Sequence, residues 1–132
     1  MIDLNMKFLV VTNSPPIRRI ARNMLMEQGY TNVQETADGV DGLSKLRAET
    51  FDFVLTDWDM PNMTGIDMLR AIRADSTLKH LPVVMVNASG KRENIIEAHE
   101  AGADGYFISP FTVNCNEYLN KIIQSMNCRP LI

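Results

Sequence analysis

Five times along this chain a short apolar run is followed by a longer segment whose apolar residues recur at helical spacing, and that alternation limits what the chain can fold into. Phe8, Leu9, Val10 and Val11 form the first run. It ends in Thr12-Asn13-Ser14-Pro15-Pro16, where Ser14 can cap a helix with Pro15 at its first position. Ile17, Ile20, Ala21, Met24 and Leu25 then share one helical face, and Gly29 stops the helix. Val33 to Thr36 is a weaker strand, with a helix entered through Ala37-Asp38-Gly39 and marked by Val40, Leu43 and Leu46. Phe53, Val54 and Leu55 lead to Asp57, and a helix carrying Ile66, Leu69 and Ile72 follows Gly65. Pro82 opens a strand from Val83 to Val86, with a helix from Lys91 to Ala101 bearing Ile95, Ile96 and Ala98. Gly105 to Ile108 is the last strand, and Tyr118, Leu119, Ile122, Ile123 and Met126 stripe a closing helix. Strict alternation predicts a parallel sheet with helices on both faces, a three-layer α/β domain. In such sheets the site lies beyond the carboxyl ends of the strands. Function is therefore sought in Thr12 to Ser14, Asp57 to Asn62, Asn87 to Gly90 and Ser109 to Pro110.

At 132 residues the chain is the size of one domain, and residues 1–132 read as a single unit. With 45% hydrophobic and 22% charged residues it has the composition of a globular protein. No apolar run approaches the roughly 20 residues that span a bilayer. The opening MIDLNMKFLVV passes into a strand rather than a signal peptide's apolar region, so a cytoplasmic protein is predicted. A net charge of -3 gives no basic footprint, and Arg18, Arg19 and Arg22 are too few to hold a nucleic acid. Cys115 and Cys128 sit at opposite ends of the predicted last helix, on the order of 20 Å apart, and read as free thiols. A monomer is the simplest expectation for a domain covered on both sheet faces.

The stretch Phe53-Val54-Leu55-Thr56-Asp57-Trp58-Asp59-Met60-Pro61-Asn62-Met63-Thr64-Gly65 is where chemistry is predicted. A buried strand delivers a carboxylate to its tip, and Met60-Pro61 with Gly65 turns the chain into a helix. Asp57 is expected to be exposed and rigidly aimed, as a nucleophile or metal ligand requires. Asp59 reads equally well as a second acid of the site or as a solvated loop residue. His80 and His99 have no Cys or His at ligand spacing, which argues against a histidine metal site.

Several segments together resemble response-regulator receiver domains of the chemotaxis type. They are FLVV before the first loop, Ile17-Arg18-Arg19 with Arg22-Asn23, Ala37-Asp38-Gly39, the D-W-D-M-P-N-M-T-G turn, Ile72-Arg73-Ala74-Asp75, Leu81-Pro82-Val83, Glu93-Asn94-Ile95-Ile96 and Ala101-Gly102-Ala103 through Gly105-Tyr106. The resemblance covers nearly the whole chain. It implies a flavodoxin-like sheet of order 2-1-3-4-5 and a phosphoacceptor role for Asp57, served by a histidine kinase. It also implies a threonine–tyrosine switch that remodels a surface for the flagellar motor switch protein. On this chain the switch and phosphate-contacting positions are Asn87, Tyr106 and Ser109, and the partner surface is Lys91, Ile95, His99 and Tyr106.

Such a pocket needs Mg²⁺, because an acyl phosphate adds negative charge beside a carboxylate. The family supplies two acids after the first strand, a threonine after the fourth and a lysine before the last proline. Here Thr12 and Asn13 stand in the acidic pair, Asn87 for the threonine and Ser109 for the lysine. Two anionic supports and one cation are gone, so Asn13, Asp57 and Asp59 are left as a weak Mg²⁺ site. Neither Asn87 nor Ser109 supplies the charge of a lysine.

Three readings follow from these residues. The first is a phosphorylatable switch in which Asn13 and Asp59 compensate for the lost acids. The second is a binding module whose surface works with phosphorylation at Asp57 impaired or absent. The third takes Asp57-Trp58-Asp59 as the D-x-D of an aspartate-nucleophile phosphatase, although such enzymes carry the pair on their first core strand. A flavin module fits less well, since Thr12 to Pro16 lacks the glycines that cradle a phosphate. The chain is therefore read as a signalling domain rather than an enzyme.

Overall fold

The computed structural model describes residues 4–88, 90–108 and 120–123. Five strands alternate with helices in the predicted order: β1 (Phe8–Val11), α1 (Pro15–Glu27), β2 (Val33–Thr36), α2 (Gly39–Ala48), β3 (Phe53–Asp57), α3 (Gly65–Ala74), β4 (Val83–Asn87), α4 (Arg92–Ala101) and β5 (Gly105–Ile108). Residues 120–123 are helical. The predicted thiols Cys115 and Cys128, and Ser109 with Pro110, lie outside the described residues.

All strand pairs are parallel, in the order β2-β1-β3-β4-β5. Alternate strand residues point to opposite faces, and here both faces are buried. Leu9, Val11, Val54, Val83 and Met85 pack with Leu43, Leu46, Ile66, Leu69, Ile72 and Ala98 of α2, α3 and α4. Phe8, Val10, Phe53, Leu55, Val84, Val86 and Phe107 pack instead with Ala21, Met24 and Leu25 of α1 and with Ile123. The sheet is thus the middle of three layers, a flavodoxin-like arrangement. No described helix is long and apolar enough to cross a membrane.

Helix starts follow capping chemistry. Ser14, Asp38 and Thr64 each accept a backbone N–H of the first turn, at 3.4, 2.9 and 3.3 Å, and prolines fill the first positions of α1. Lys91 precedes α4 without a side-chain cap bond, and the helix ends on Gly102 in the left-handed region at φ 101°. Four apolar residues that mark the helical periodicity face solvent: Ile20, Val40, Ile95 and Ile96 are each more than a third exposed.

Arg73, in the last turn of α3, ties together the amino ends of β4 and β5. Its guanidinium donates to the carbonyls of Gly102, Lys79 and Leu81 and to Asp104 Oδ2, which also accepts the Val83 N–H at 2.9 Å. This clamp sets the start of β5, and so the height at which Tyr106 emerges.

Also at the amino ends of the strands, beside β1 and β2, Glu49 collects three donors: Lys7 Nζ at 2.6 Å, Lys45 Nζ at 3.0 Å and Gln34 Nε2 at 3.3 Å. Lys7, then Lys45 and Gln34, hold its carboxyl down to about 2. Because the folded value lies below the unfolded one, this cluster stabilises the fold above the ordinary glutamate range and loses its effect as pH falls toward the folded value. Glu49→Gln should therefore flatten the fall of the thermal midpoint between about pH 5 and about pH 2. Parallel curves for parent and variant would refute the assignment.

Candidate functional site

Asp57 ends β3, where the sheet register carries it past the tip of β1. Val11 pairs with Thr56, so the next residue on β1, Thr12, stands across from Asp57. The Thr12 hydroxyl donates to Asp57 Oδ2 at 3.0 Å and accepts the Ser14 N–H at 3.0 Å. Its backbone is equally fixed: its N–H donates to the Thr36 carbonyl at 3.0 Å, and its own carbonyl accepts Arg18 at 2.8 Å. Thr12 is fully buried, and Asp57 is only 9% exposed. The carboxylate predicted to stand free in solvent is instead largely enclosed, with the Thr12 hydroxyl and the Trp58 and Asp59 N–H groups against it.

That enclosure sets the charge balance. Burial pushes the Asp57 carboxyl above its ordinary range; the Thr12 hydroxyl and the Trp58 and Asp59 N–H groups oppose this, and the Asp59 charge adds to it. No ion pair between Asp57 and a cationic side chain occurs among the described residues. Asp59 itself is exposed.

The end of β4 brings Asn87 to the same side. It is 5% exposed, and its side chain hydrogen-bonds the Tyr106 hydroxyl. Burial raises the Tyr106 phenol, with the Asn87 bond acting against it and the Asp59 charge with it. The Tyr106 ring meets Trp58 edge-on, with centroids 6.4 Å apart, and both rings lie partly buried against the core. The strand tips thus bring Asp57, Asn87 and Tyr106 together with Trp58. Further along the surface Ile95, His99 and Tyr106 line a cavity of about 130 Å³ that does not include Lys91. Ile95 is 38% exposed, and His99 and Lys91 are exposed.

The metal ligands are a poorer match. A Mg²⁺ centre wants near-octahedral hard oxygens and carboxylate charge. One Asp57 oxygen is already engaged by Thr12, Asn13 is an exposed amide, and Asp59 faces solvent. Among the described residues no three His, Cys, Asp or Glu side chains are grouped to hold a metal. This donor set does not fit a tight divalent site. Thr12 is the functional residue that sequence reasoning counted only as a loss; the register of two adjacent strands, which places it opposite Asp57, is the signal that finds it.

With a doubly covered parallel sheet, a carboxylate at the tip of its middle strand and an aromatic residue on an edge strand two places away, the molecule has the architecture of a signalling receiver. The chain belongs to the response regulator receiver domain family, whose model matches residues 8–123. It is 50% identical over 123 residues to the chemotaxis protein CheY of Pseudomonas aeruginosa, covering 92% of this chain and 99% of that protein. Against chemotaxis protein CheY-3 of Vibrio cholerae the identity is 49% over 127 residues, covering 96% and 98%. Among solved structures, the receiver domain of a sensor histidine kinase from Pseudomonas aeruginosa superposes with a TM-score of 0.78 at 25% identity, covering 92% and 96%. That protein carries a magnesium ion in its active site cleft. This chain is accordingly a CheY-like receiver of two-component signalling.

Proposed function

We propose that this receiver presents its α4–β5 surface to a chemotaxis partner with phosphorylation at Asp57 impaired or absent. The observation that carries this reading is the Thr12 hydroxyl on Asp57 Oδ2, which satisfies the carboxylate internally with a neutral donor. A carboxylate buried and bonded in this way is a weak nucleophile toward a phosphoryl donor, whose own negative charge no cationic side chain among the described residues balances. Asn87 supports the same reading from the output side. A bond from a buried amide to Tyr106 holds the ring against Trp58 without a phosphoryl group to draw it there.

In this reading the exposed Lys91, Ile95 and His99, with Tyr106 at their edge, form the docking face. Its partner is a histidine kinase or a flagellar motor switch protein, for which the domain competes with phosphorylatable receivers. Asp57 remains the phosphoacceptor position, Asn87, Tyr106 and Ser109 the switch positions, and Asn13, Asp57 and Asp59 a weak Mg²⁺ site.

Trp58 is the only tryptophan and follows Asp57 directly, so its fluorescence reports the pocket. Titration with Mg²⁺ and then beryllofluoride should produce no saturable change at physiological metal concentrations. Asp57→Asn should bind the motor switch protein as the parent does. Saturable quenching that Asp57→Asn abolishes, with partner affinity rising on beryllofluoride, would establish the Mg²⁺-dependent switch instead.

A further inference from the structure

Asp38 is buried to 7% exposure, yet its carboxylate does more than cap a helix. Oδ1 accepts the Asp41 N–H at 2.9 Å, which serves α2. Oδ2 accepts Asn62 Nδ2 at 2.7 Å, a bond that reaches 24 residues along the chain into the loop leaving Asp57. An asparagine would cap the helix equally well. It would serve the second bond only with the Asn62 amide turned over to accept, and then without the charge of a carboxylate.

The loop needs such a hold. Asn62 is the one non-glycine residue with positive φ among the described residues, at 68°. The Met63 N–H closes onto the Pro61 carbonyl at 2.7 Å, a three-residue turn of the rare, strained γ form. Strain of this kind persists only where the surroundings impose it. The apolar side of the turn is held as well: Met63 lies so close over Gly39 that a Cβ there would sit 2.8 Å from Met63 Cγ. Asp38 and the first residue of α2 thus grip both the polar and the apolar parts of the turn. The other end of the loop is anchored in the sheet, where the Trp58 N–H donates to the Val86 carbonyl at 2.8 Å. The Asp41 N–H, then Asn62, keep the Asp38 carboxyl below its ordinary range, so the hold is charged throughout physiological pH.

We infer that Asp38 is a positioning residue for the acceptor pocket: its carboxylate latches the Pro61–Met63 turn onto α2 and so keeps the Trp58–Met60 segment closed over Asp57 and against Tyr106. This goes beyond the proposed function and holds whether or not Asp57 accepts a phosphoryl group.

The test is an exchange of donor and acceptor. Asn62→Asp sets two acceptors face to face and breaks the latch, leaves the α2 cap untouched and still tolerates positive φ. Asp38→Asn keeps the helix cap and removes only the charge of the latch, since the Asn62 amide can turn to accept. Asn62→Asp should raise the acrylamide quenching constant of Trp58 by about twofold or more, as an open loop becomes populated, and Asp38→Asn by less. The Asp57 carboxyl titration, followed by carbon NMR, should move down toward the ordinary range as water enters. The double exchange, Asp38→Asn with Asn62→Asp, restores one donor facing one acceptor and should return both readouts to parent values. The latch is overturned if Asn62→Asp leaves both readouts at parent values, if only the melting temperature moves, or if the double exchange opens the loop as far as Asn62→Asp does. Asn62→Asp decides the matter alone if Asp38→Asn does not fold.

Discussion

Thr12→Asp combined with Asn13→Asp is expected to convert a pocket indifferent to Mg²⁺ into one whose folding depends on it. In the parent, Thr12 gives Asp57 a neutral donor at 3.0 Å. Replacing that hydroxyl with a carboxylate removes the donor and sets a second negative charge beside a carboxyl that burial and Asp59 already disfavour in its charged form. Two unit charges about 4 Å apart at an effective dielectric near 20 repel by roughly 4 kcal/mol. Without metal the double variant should lose on the order of 3 kcal/mol, about 10 °C in Tm for a chain of this size. Mg²⁺ removes the repulsion and gains the anionic ligands the parent lacks. At about 100 times Kd it should return close to 3 kcal/mol. The comparison is thermal unfolding of parent and variant in Mg²⁺ and in chelator. A parent whose Tm rises with Mg²⁺ as the variant's does would mean that the native donors suffice. A folded variant indifferent to Mg²⁺ would mean that Thr12 and Asn13 are not what the site lacks.

The contrast between Thr12 and Val40 illustrates how much of this was legible in the sequence. Strand and helix order came directly from periodicity, because a two-sided buried sheet demands continuous apolar runs and each covering helix demands a stripe. Val40 was placed on such a stripe, but the buried face of α2 is Gly39, Gly42, Leu43 and Leu46. Glycines carry no hydrophobic signal, so the stripe was rotated onto the nearest apolar residue. In α4 the same effect leaves Ala98 as the buried contact and Ile95 and Ile96 outside. Small residues mark close packing that a hydrophobicity pattern reads as weak.

The site divided along a similar line. Asp57 is legible because a strand tip and a turn are local features, and Tyr106 because the family resemblance implies it. The Thr12–Asp57, Asn87–Tyr106 and Asp38–Asn62 bonds link residues on different elements, and each depends on strand register or on where a loop folds back. Residue type alone makes Thr12 a missing acid and leaves Asp38 as part of a helix entry. Only the third dimension shows that Thr12 bonds the carboxylate it was expected to leave unsupported.

Gly65→Ala is expected to unfold the acceptor turn, against the direction that helix propensity predicts. At the first position of α3, alanine should by itself favour the helix by about 1 kcal/mol over glycine. A Cβ on Gly65, however, would lie 2.0 Å from the Asp57 carbonyl oxygen and 3.0 Å from its carbonyl carbon. The obstacle is backbone at the end of a strand, and Asp57 pairs with Val86 on β4, so it has little room to withdraw. Nor can α3 simply back away. The Gly65 N–H donates to the Trp58 carbonyl at 2.9 Å, and Ile66, Leu69 and Ile72 hold the helix in the core. Relief must come from moving the strand tip or the helix, either of which gives up buried contacts. A loss of about 3 kcal/mol or more follows, on the order of 10 °C in Tm. The same displacement shifts Asp57 away from Thr12, so the carbon NMR titration of Asp57 should change along with the melting curve. A variant as stable as the parent, or more so, would show that α3 does not approach Asp57 this closely. The glycine would then be only a weak helix former at a helix start.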